Sequence, residues 1–369
     1  MVLSLSPEPQ YLPNVGPSKS TFACPTAVYK DYRDYTGNAL DRPLRIDPYA
    51  PLQDRVFNGV QLVTLAPGTV TGPWRCTSEN GCYDDAEDKT PRGTALLWIP
   101  DDVPLNAPRV LYLHGGSWWY GSPWTYSYPT FAARLAKKLG MPILTIDYTL
   151  APVGNFTRII RQVGRAVNYL ARHEPLNLLA RDMTTTNPAS AAPPLFIMGD
   201  SSGAGTVISA LVAQASRRGL PGAGQAVLSG AVVYSPWVNL LSSSPTYLSN
   251  AYGVHEAGNY PLGDLAFGFG GIEDYVQDSQ ENARDYMGGR SLKDPIANPF
   301  FAPSRWLKRL APIVFHVGQP ELLLSDSAIL ANRIAHSGGS VVVLWSFIST
   351  MECGMFSPCI RGVAPAGKL

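Results

Sequence analysis

The sequence predicts an α/β fold with a mostly parallel sheet of eight strands, helices on both faces of the sheet and an inserted helical cap. Eight short apolar runs, most of them rich in β-branched residues, are typical of strands buried on both faces. Helical patterns alternate with the later runs, which requires crossover connections between parallel strands. One long stretch, residues 241–300, interrupts this alternation and contains no strand-like run.

The predicted elements follow one another in a regular order. The strands are Val60–Leu65, Ala95–Ile99, Val110–Leu113, Ile143–Ile146, Leu195–Met198, Ala231–Tyr234, Ile313–Val317 and Val341–Trp345. The helices are Pro129–Leu139, Thr157–Arg172, Ala204–Arg218 and Ser325–Ser337. No helical pattern separates the earliest strands, so we expect them to pair in antiparallel hairpins.

The same patterns predict four parts of the chain. Residues 1–92 form an N-terminal segment that is partly irregular or part of the cap and contains the first strand. Residues 93–240 and 301–347 form the core of the fold. Residues 241–300 form a cap or lid, because a connection of this length is too long for a loop in a compact domain. Residues 348–369 form an atypical C-terminal tail.

Composition excludes several classes of protein. The 29 basic and 28 acidic side chains give a net charge of +1, whereas a nucleic-acid-binding protein usually carries a basic surplus. No apolar run reaches the length of a membrane span. The N-terminus lacks the pattern of a secretory signal, and the five scattered cysteines fit reduced thiols, so we expect a cytoplasmic protein. No phosphate-binding loop, dinucleotide fingerprint or metal-ligand cluster is present, so no cofactor is predicted.

The fifth strand run ends in Gly199-Asp200-Ser201-Ser202-Gly203, and a helix of small residues follows. A Gly-x-Ser-x-Gly sequence between strand and helix predicts a sharp turn that holds its serine in a strained backbone conformation. The hydroxyl of Ser201 would then lie at a helix N-terminus, where negative charge is favoured. This pattern predicts a catalytic nucleophile, and the alternative is a glycine-rich turn without chemistry.

A second glycine motif, His114-Gly115-Gly116-Ser117, directly follows the third strand run. Acyl transfer requires N–H donors directed at the oxygen that becomes negative in the transition state. We predict that the amides of Gly115, Gly116 and Ser202 form this oxyanion hole and that His114 braces the loop. The alternative is an ordinary tight turn after a strand.

Together these motifs resemble those of the hormone-sensitive lipase group of α/β-hydrolases. Further similar segments are Asp147–Pro152, Ser235–Leu240 and Asp294–Pro299, although Val153 stands where a glutamate is common. The resemblance covers about residues 90–347. It implies the α/β-hydrolase fold and hydrolysis of carboxylic esters with small or medium acyl chains, with a small-molecule ester as substrate and no cofactor.

The resemblance also implies a catalytic acid just after the seventh strand. The carboxylate three residues beyond Gly318 is Glu321, which we predict to orient a histidine. Asp326 is the alternative, and it is otherwise expected to cap the following helix or to lie on its first turn.

The histidine that the resemblance implies, in the loop after the last strand, has no counterpart among the residues that follow Trp345. The five histidines of the chain are His114 in the glycine loop, His173 and His336 at helix ends far from Ser201, His316 inside a strand and His255 in the cap. Two interpretations follow. In the first, a frame change, a splice variant or an imperfect gene model has replaced the family's usual sequence after Trp345. In the second, the protein binds small molecules without hydrolysing them. The gibberellin receptors resemble this family and lack the catalytic histidine.

Aromatic residues crowd the stretch after the glycine loop. They are predicted either to form a wall for an acyl or alcohol group or to pack the loop against its neighbours. The residues are Trp118, Trp119, Tyr120, Trp124, Tyr126 and Tyr128.

Overall fold

The computed structural model describes only part of the chain. The described residues are 55–57, 59–66, 68–72, 93–104, 106–119, 121–124, 128–172, 193–216, 218–250, 272–319 and 321–346. All of them belong to Gly37–Leu369, one of the two compact units into which the chain divides. The other unit, Met1–Thr36, lies outside the described residues.

A single twisted sheet forms the centre of the described structure. Its strands are β1 (Arg55–Phe57), β2 (Val60–Leu65), β3 (Ala95–Pro100), β4 (Arg109–Leu113), β5 (Ile143–Ile146), β6 (Leu195–Asp200), β7 (Leu228–Tyr234), β8 (Ile313–Gly318) and β9 (Val341–Ser346). Their order across the sheet is β1-β2-β3-β5-β4-β6-β7-β8-β9. The pairs from β1 to β3 and the pair β3–β5 are antiparallel, and all later pairs are parallel.

The predicted fold class is confirmed, including all eight strands and the antiparallel start of the sheet. The additional strand β1 has only three residues. A run that short carries no recognisable alternation of apolar residues, so the sequence did not indicate it.

Helices cover both faces of the sheet. The longer ones are α1 (Tyr128–Leu139), α2 (Phe156–Ala171), α3 (Ser201–Ala215), α5 (Ile272–Met287) and α7 (Leu324–His336), and the short ones are α4 (Thr246–Ser249) and α6 (Ser304–Leu307). Helix α1 packs on β2, β3 and β5, and its contacts there enclose a small apolar core. Helices α2, α3 and α7 pack on the opposite face and enclose the larger core.

The segment predicted as a cap contains helices and no strand in its described ranges, 241–250 and 272–300. It consists of α4, α5 and a short 3₁₀ helix, Pro299–Phe301. The assignment of residues 241–300 as a cap stays a prediction. None of the helices in the described part of the chain is both long and apolar enough to span a bilayer.

The parallel strands place the predicted functional residues at one edge of the sheet. β4 ends directly before His114, and β6 ends at Asp200, directly before Ser201. β8 ends at Gly318, three residues before Glu321. Because the carboxyl ends of parallel strands meet at one edge, this edge is where an α/β fold builds its site.

Candidate active site

Ser201 lies at the junction of β6 and α3, with no residue between the strand and the helix. Its φ of +51° is the left-handed conformation that the Gly-x-Ser-x-Gly motif predicts. Such a φ is unfavourable for a residue with a Cβ atom, and it persists only when the surrounding structure enforces it. The residue is half-buried and lies at the N-terminal, positive end of the helix.

The glycines of this motif allow two chain segments to approach closely. A Cβ atom at Gly203 would lie 2.3 Å from the carbonyl oxygen of His114, and one at Gly199 would lie 2.8 Å from that of Leu113. Real Cβ atoms do not come this close to backbone oxygens. The start of α3 therefore packs directly on the end of β4, where the second glycine motif begins.

The two motifs also meet beside the serine. A Cβ atom at Gly115 would lie 3.0 Å from the Cβ atom of Ser201. The Trp118 N–H donates to the hydroxyl of Ser202 over 3.3 Å, which joins the far end of the glycine loop to the first turn of α3. The structure thus brings the serine and the glycine loop together, as the sequence predicts.

The amide of Gly115 is directed into the protein rather than toward a substrate. Its N–H donates to Asp200 Oδ2 over 3.1 Å and lies 3.0 Å from the Tyr128 hydroxyl oxygen. Contrary to the prediction, this amide is therefore already engaged and not offered to an oxyanion. The physical reason is the carboxylate of Asp200, which is buried beside the loop. A charged carboxylate oxygen accepts a hydrogen bond more strongly than a neutral oxygen does.

The next two amides of the loop remain available. Gly116, Ser117 and Trp118 all have positive φ, at +111°, +53° and +61°. Within the described residues, the N–H groups of Gly116 and Ser117 donate to no acceptor. The Ser202 amide lies in the first turn of α3, where N–H groups have no partner within the helix. The sequence missed Ser117 because its backbone conformation depends on how the loop is anchored.

His114 is packed inside the loop. Its ring stacks on Tyr148 with centroids 4.3 Å apart and planes 10° apart, and only 2% of the residue is exposed. Its Nδ1 lies 2.7 Å from the carbonyl oxygen of Gly115, and its own carbonyl accepts the Tyr148 hydroxyl over 2.6 Å. These contacts are those of a loop brace, the role predicted for this residue.

Two of the aromatic residues after the loop are packed into the interior. Trp118 stacks on both Tyr286 and Trp237, with ring centroids 3.8 Å and 4.8 Å away, and its Nε1–H donates to Thr206. Tyr128 is buried at the start of α1. For these two the packing interpretation holds, and Tyr120 and Tyr126 lie outside the described residues.

The two candidates for the acid have different surroundings. Asp326 lies on the first turn of α7 and is fully buried. Its carboxylate accepts the Asn239 N–H and the hydroxyls of Ser244 and Tyr247, and burial raises the pKa of this carboxyl to about 7. Its oxygens are thus engaged in joining α7 to the segment after β7.

Glu321 lies just past the end of β8. Its Oε1 accepts the Gly318 N–H over 3.1 Å, so the carboxylate is turned back toward the strand end at the edge where Ser201 lies. The side chain is buried, at 1% exposed. Between the two, the geometry favours Glu321 as the acid, and this assignment stays a prediction.

Three histidines lie within the described residues, and none of them forms a hydrogen bond with Ser201 there. His316 lies inside β8 opposite Tyr234, and burial lowers the pKa of its ring. His336 ends α7 at the opposite edge of the sheet, with its Nδ1 3.0 Å from the Asn332 carbonyl oxygen. His114 braces the loop, while His173 and His255 lie outside the described residues.

Comparison with known proteins agrees with this geometry. A model of the alpha/beta hydrolase fold family matches residues 110–345, which is most of the core described above. The chain belongs to the α/β-hydrolase fold family. The matched range includes the glycine loop, the serine turn and Glu321.

The chain is also similar to individual known proteins. An acetyl-hydrolase of Streptomyces hygroscopicus is 25% identical over 298 residues, 80% of this chain and 78% of that protein. A hormone-sensitive lipase of Bos taurus is 31% identical over 83 residues, 22% of this chain and 11% of that protein. The solved structure of an esterase from the bacterial hormone-sensitive lipase family shares the fold, with a TM-score of 0.52, 22% identity and coverage of 82% of this chain and 81% of that one. The resemblance inferred from the motifs is confirmed.

Proposed function

We propose that this α/β-hydrolase is a serine carboxylic ester hydrolase acting on esters with small to medium acyl chains. The observation that carries the proposal is the position of Ser201. It is strained at φ +51°, sits at the start of α3 and is packed against a glycine loop, two of whose amides donate to no acceptor in the described part of the chain. Backbone donors beside a serine at a helix N-terminus are what acyl transfer requires.

The reaction assigns a role to each group. The Ser201 oxygen attacks the ester carbonyl carbon while its proton passes to a base, and the carbonyl oxygen gains the negative charge. The amides of Gly116, Ser117 and Ser202 donate to that oxygen. Collapse of the intermediate breaks the bond to the alcohol, which leaves with the proton from the base. Water then attacks the acyl group on Ser201 and gives a proton to the base. The acid is released when the bond to Ser201 breaks and the serine oxygen takes up that proton. Glu321 orients the base and stabilises it when it is protonated.

The base determines how fast this reaction runs. A serine hydroxyl without a base is a weak nucleophile at neutral pH. Loss of the base in a serine triad lowers turnover on the order of 10⁶-fold, whereas oxyanion hole and binding alone retain roughly 10³–10⁴-fold over water. His255, in the segment predicted as a cap, is the histidine to substitute first, because a cap overhangs the site.

The test is covalent labelling and turnover of the full chain. We expect a fluorophosphonate probe to label Ser201 and p-nitrophenyl acetate or butyrate to be hydrolysed. Ser201→Ala should abolish both, while Ser229→Ala, an exposed serine on β7, should change neither. A chain that neither labels nor turns over these esters would refute the hydrolase.

A second function is favoured by one observation: within the described residues, none of His114, His316 and His336 forms a hydrogen bond with Ser201. The alternative is a non-hydrolytic small-molecule binding protein on the same scaffold. It predicts saturable binding of p-nitrophenyl butyrate, followed by quenching of tryptophan fluorescence, that survives Ser201→Ala without any hydrolysis. Turnover that Ser201→Ala abolishes would exclude it.

A further inference from the structure

We propose that Asp200 is a positioning residue, whose carboxylate fastens the serine turn to the glycine loop and so sets the direction of the oxyanion-hole amides. This inference rests on the proposed function, since it names the group that holds the oxyanion loop in place. It concerns a residue that does not touch the reacting atoms and acts through Gly115.

The first step is the unusual orientation of the Asp200 side chain. Asp200 is the N-cap residue of α3, a position where an aspartate ordinarily accepts a backbone N–H of its own helix. Here the side chain makes no such bond. It instead reaches across to β4, to α1 and to the glycine loop, and only 3% of the residue is exposed.

The second step is the set of groups around the carboxylate. Oδ1 accepts the Tyr112 hydroxyl over 2.9 Å, and Oδ2 accepts the Tyr128 hydroxyl over 2.8 Å and the Gly115 N–H over 3.1 Å. An ionised carboxylate only accepts, so these three donors match it. Burial raises the pKa of the Asp200 carboxyl to about 7, and the hydrogen bonds from Tyr128 and Tyr112 oppose that rise.

The third step connects this carboxylate to the predicted oxyanion hole. Asp200 fixes the N–H of Gly115, and His114 Nδ1 lies 2.7 Å from its carbonyl oxygen. The Gly115–Gly116 peptide is trans, so the Gly116 N–H points opposite to that carbonyl. With both polar groups of Gly115 held, the direction of the Gly116 amide is determined.

The experiment compares three substitutions. Asp200→Asn replaces one accepting oxygen by an amide group that cannot accept. Tyr128→Phe removes the hydroxyl that donates to Asp200 Oδ2 and accepts the Gly115 N–H. Tyr112→Phe removes the hydroxyl that donates to Asp200 Oδ1 and makes no hydrogen bond with Gly115. With p-nitrophenyl butyrate, we expect kcat to fall on the order of 10²-fold for Asp200→Asn, with KM changed less than about threefold, since misdirected donors weaken only the transition state. Tyr128→Phe should lower kcat more than Tyr112→Phe.

A second readout does not depend on activity. Hydrogen exchange followed by mass spectrometry should show faster exchange in residues 113–118 of Asp200→Asn and Tyr128→Phe. Exchange in α7 should be unchanged in both variants. Asp326→Asn is the matched control, because it alters another buried aspartate, whose hydrogen bonds go to Asn239, Ser244 and Tyr247, and it should leave exchange in residues 113–118 unchanged.

The outcomes separate this inference from the proposed function. A wild-type chain without labelling or turnover would refute the hydrolase, and the exchange data would still decide whether Asp200 holds the loop. Unchanged exchange in residues 113–118, or a rise in KM with kcat intact, would overturn the inference. An equal effect of Tyr112→Phe and Tyr128→Phe would also overturn it, because the effect would then come from the buried cluster as a whole. If Asp200→Asn does not fold, the two tyrosine variants carry the test.

Discussion

Trp118 and Tyr286 stack face to face, with ring centroids 3.8 Å apart and planes 7° apart. Trp118 belongs to the loop that follows Gly116, and Tyr286 belongs to α5, in the segment predicted as a cap. Both are almost fully buried, and Trp237 also stacks on the tryptophan. The far end of the glycine loop is therefore anchored by two aromatic contacts of Trp118.

This stack predicts a difference between two substitutions of Tyr286. Tyr286→Ala removes a fully buried ring and should lower the free energy of unfolding by about 3–5 kcal/mol. Tyr286→Phe keeps the ring and should lower it by about 1 kcal/mol at most. Urea unfolding followed by tryptophan fluorescence measures both values. Equal losses would show that the hydroxyl, rather than the stacked ring, stabilises this contact.

The hydrogen bond beneath the stack predicts a second loss of stability. The Trp118 Nε1–H donates to Thr206 Oγ1 over 2.9 Å, and the Thr206 hydroxyl donates to the Ser202 carbonyl. Thr206→Val keeps the shape but leaves a buried N–H unpaired, so we expect a loss of about 1–3 kcal/mol. Thr157→Val, an exposed position on α2, is the control and should change the free energy of unfolding by less than about 0.5 kcal/mol. Similar losses in both variants would contradict the role of the hydrogen bond.

The fold was predictable because its strands are buried. Runs such as Ile143–Ile146 and Ala95–Pro100 are buried along their whole length, so their apolar composition was visible without any structure. Helix starts were less certain, as the helix predicted from Ala204 begins at Ser201. The first residues of that helix are polar or glycine, and their helical state follows from the turn after β6 rather than from their own propensity.

Part of the geometry around the predicted site was visible in the sequence for a similar reason. Local spacing predicted that Ser201 is strained and lies beside the glycine loop, because both follow strands that pair directly. The engagement of Gly115 was not predictable, since it depends on Asp200 turning away from its own helix toward Tyr112 and Tyr128. Those contacts join residues far apart in sequence, and no local pattern encodes them.

The close approach of Gly203 to the end of β4 predicts a severe effect of a single methyl group. Gly203→Ala would place its Cβ atom 2.3 Å from the His114 carbonyl oxygen and 2.4 Å from that of Leu113. Both atoms are backbone, so the turn must shift. We expect the free energy of unfolding to fall by about 3 kcal/mol or more and the labelling of Ser201 to be lost.

The control is Gly219, where a Cβ atom meets nothing within 4 Å, although φ is +69°. Gly219→Ala should therefore cost only about 1–2 kcal/mol, for backbone strain, and should keep the labelling.

The buried carboxyl of Asp326 predicts how stability changes with pH. Burial raises the pKa of this carboxyl from 3.8 to about 7, so between these values the folded protein binds the proton and the unfolded chain does not. The free energy of unfolding must then fall as pH rises through this range, by about 2–3 kcal/mol between pH 5 and pH 8 for this one group. Asp200, whose pKa is also raised to about 7, adds a change of the same sign.

Asp326→Asn removes one of these two contributions. The difference in the free energy of unfolding between pH 5 and pH 8, measured in urea, should therefore be smaller in this variant than in the wild type by about 2–3 kcal/mol. Ser229→Ala, at an exposed position on β7 and without a titratable group, should leave the difference unchanged. A difference between pH 5 and pH 8 that is the same in Asp326→Asn as in the wild type would show that the Asp326 carboxyl does not bind the proton in this range.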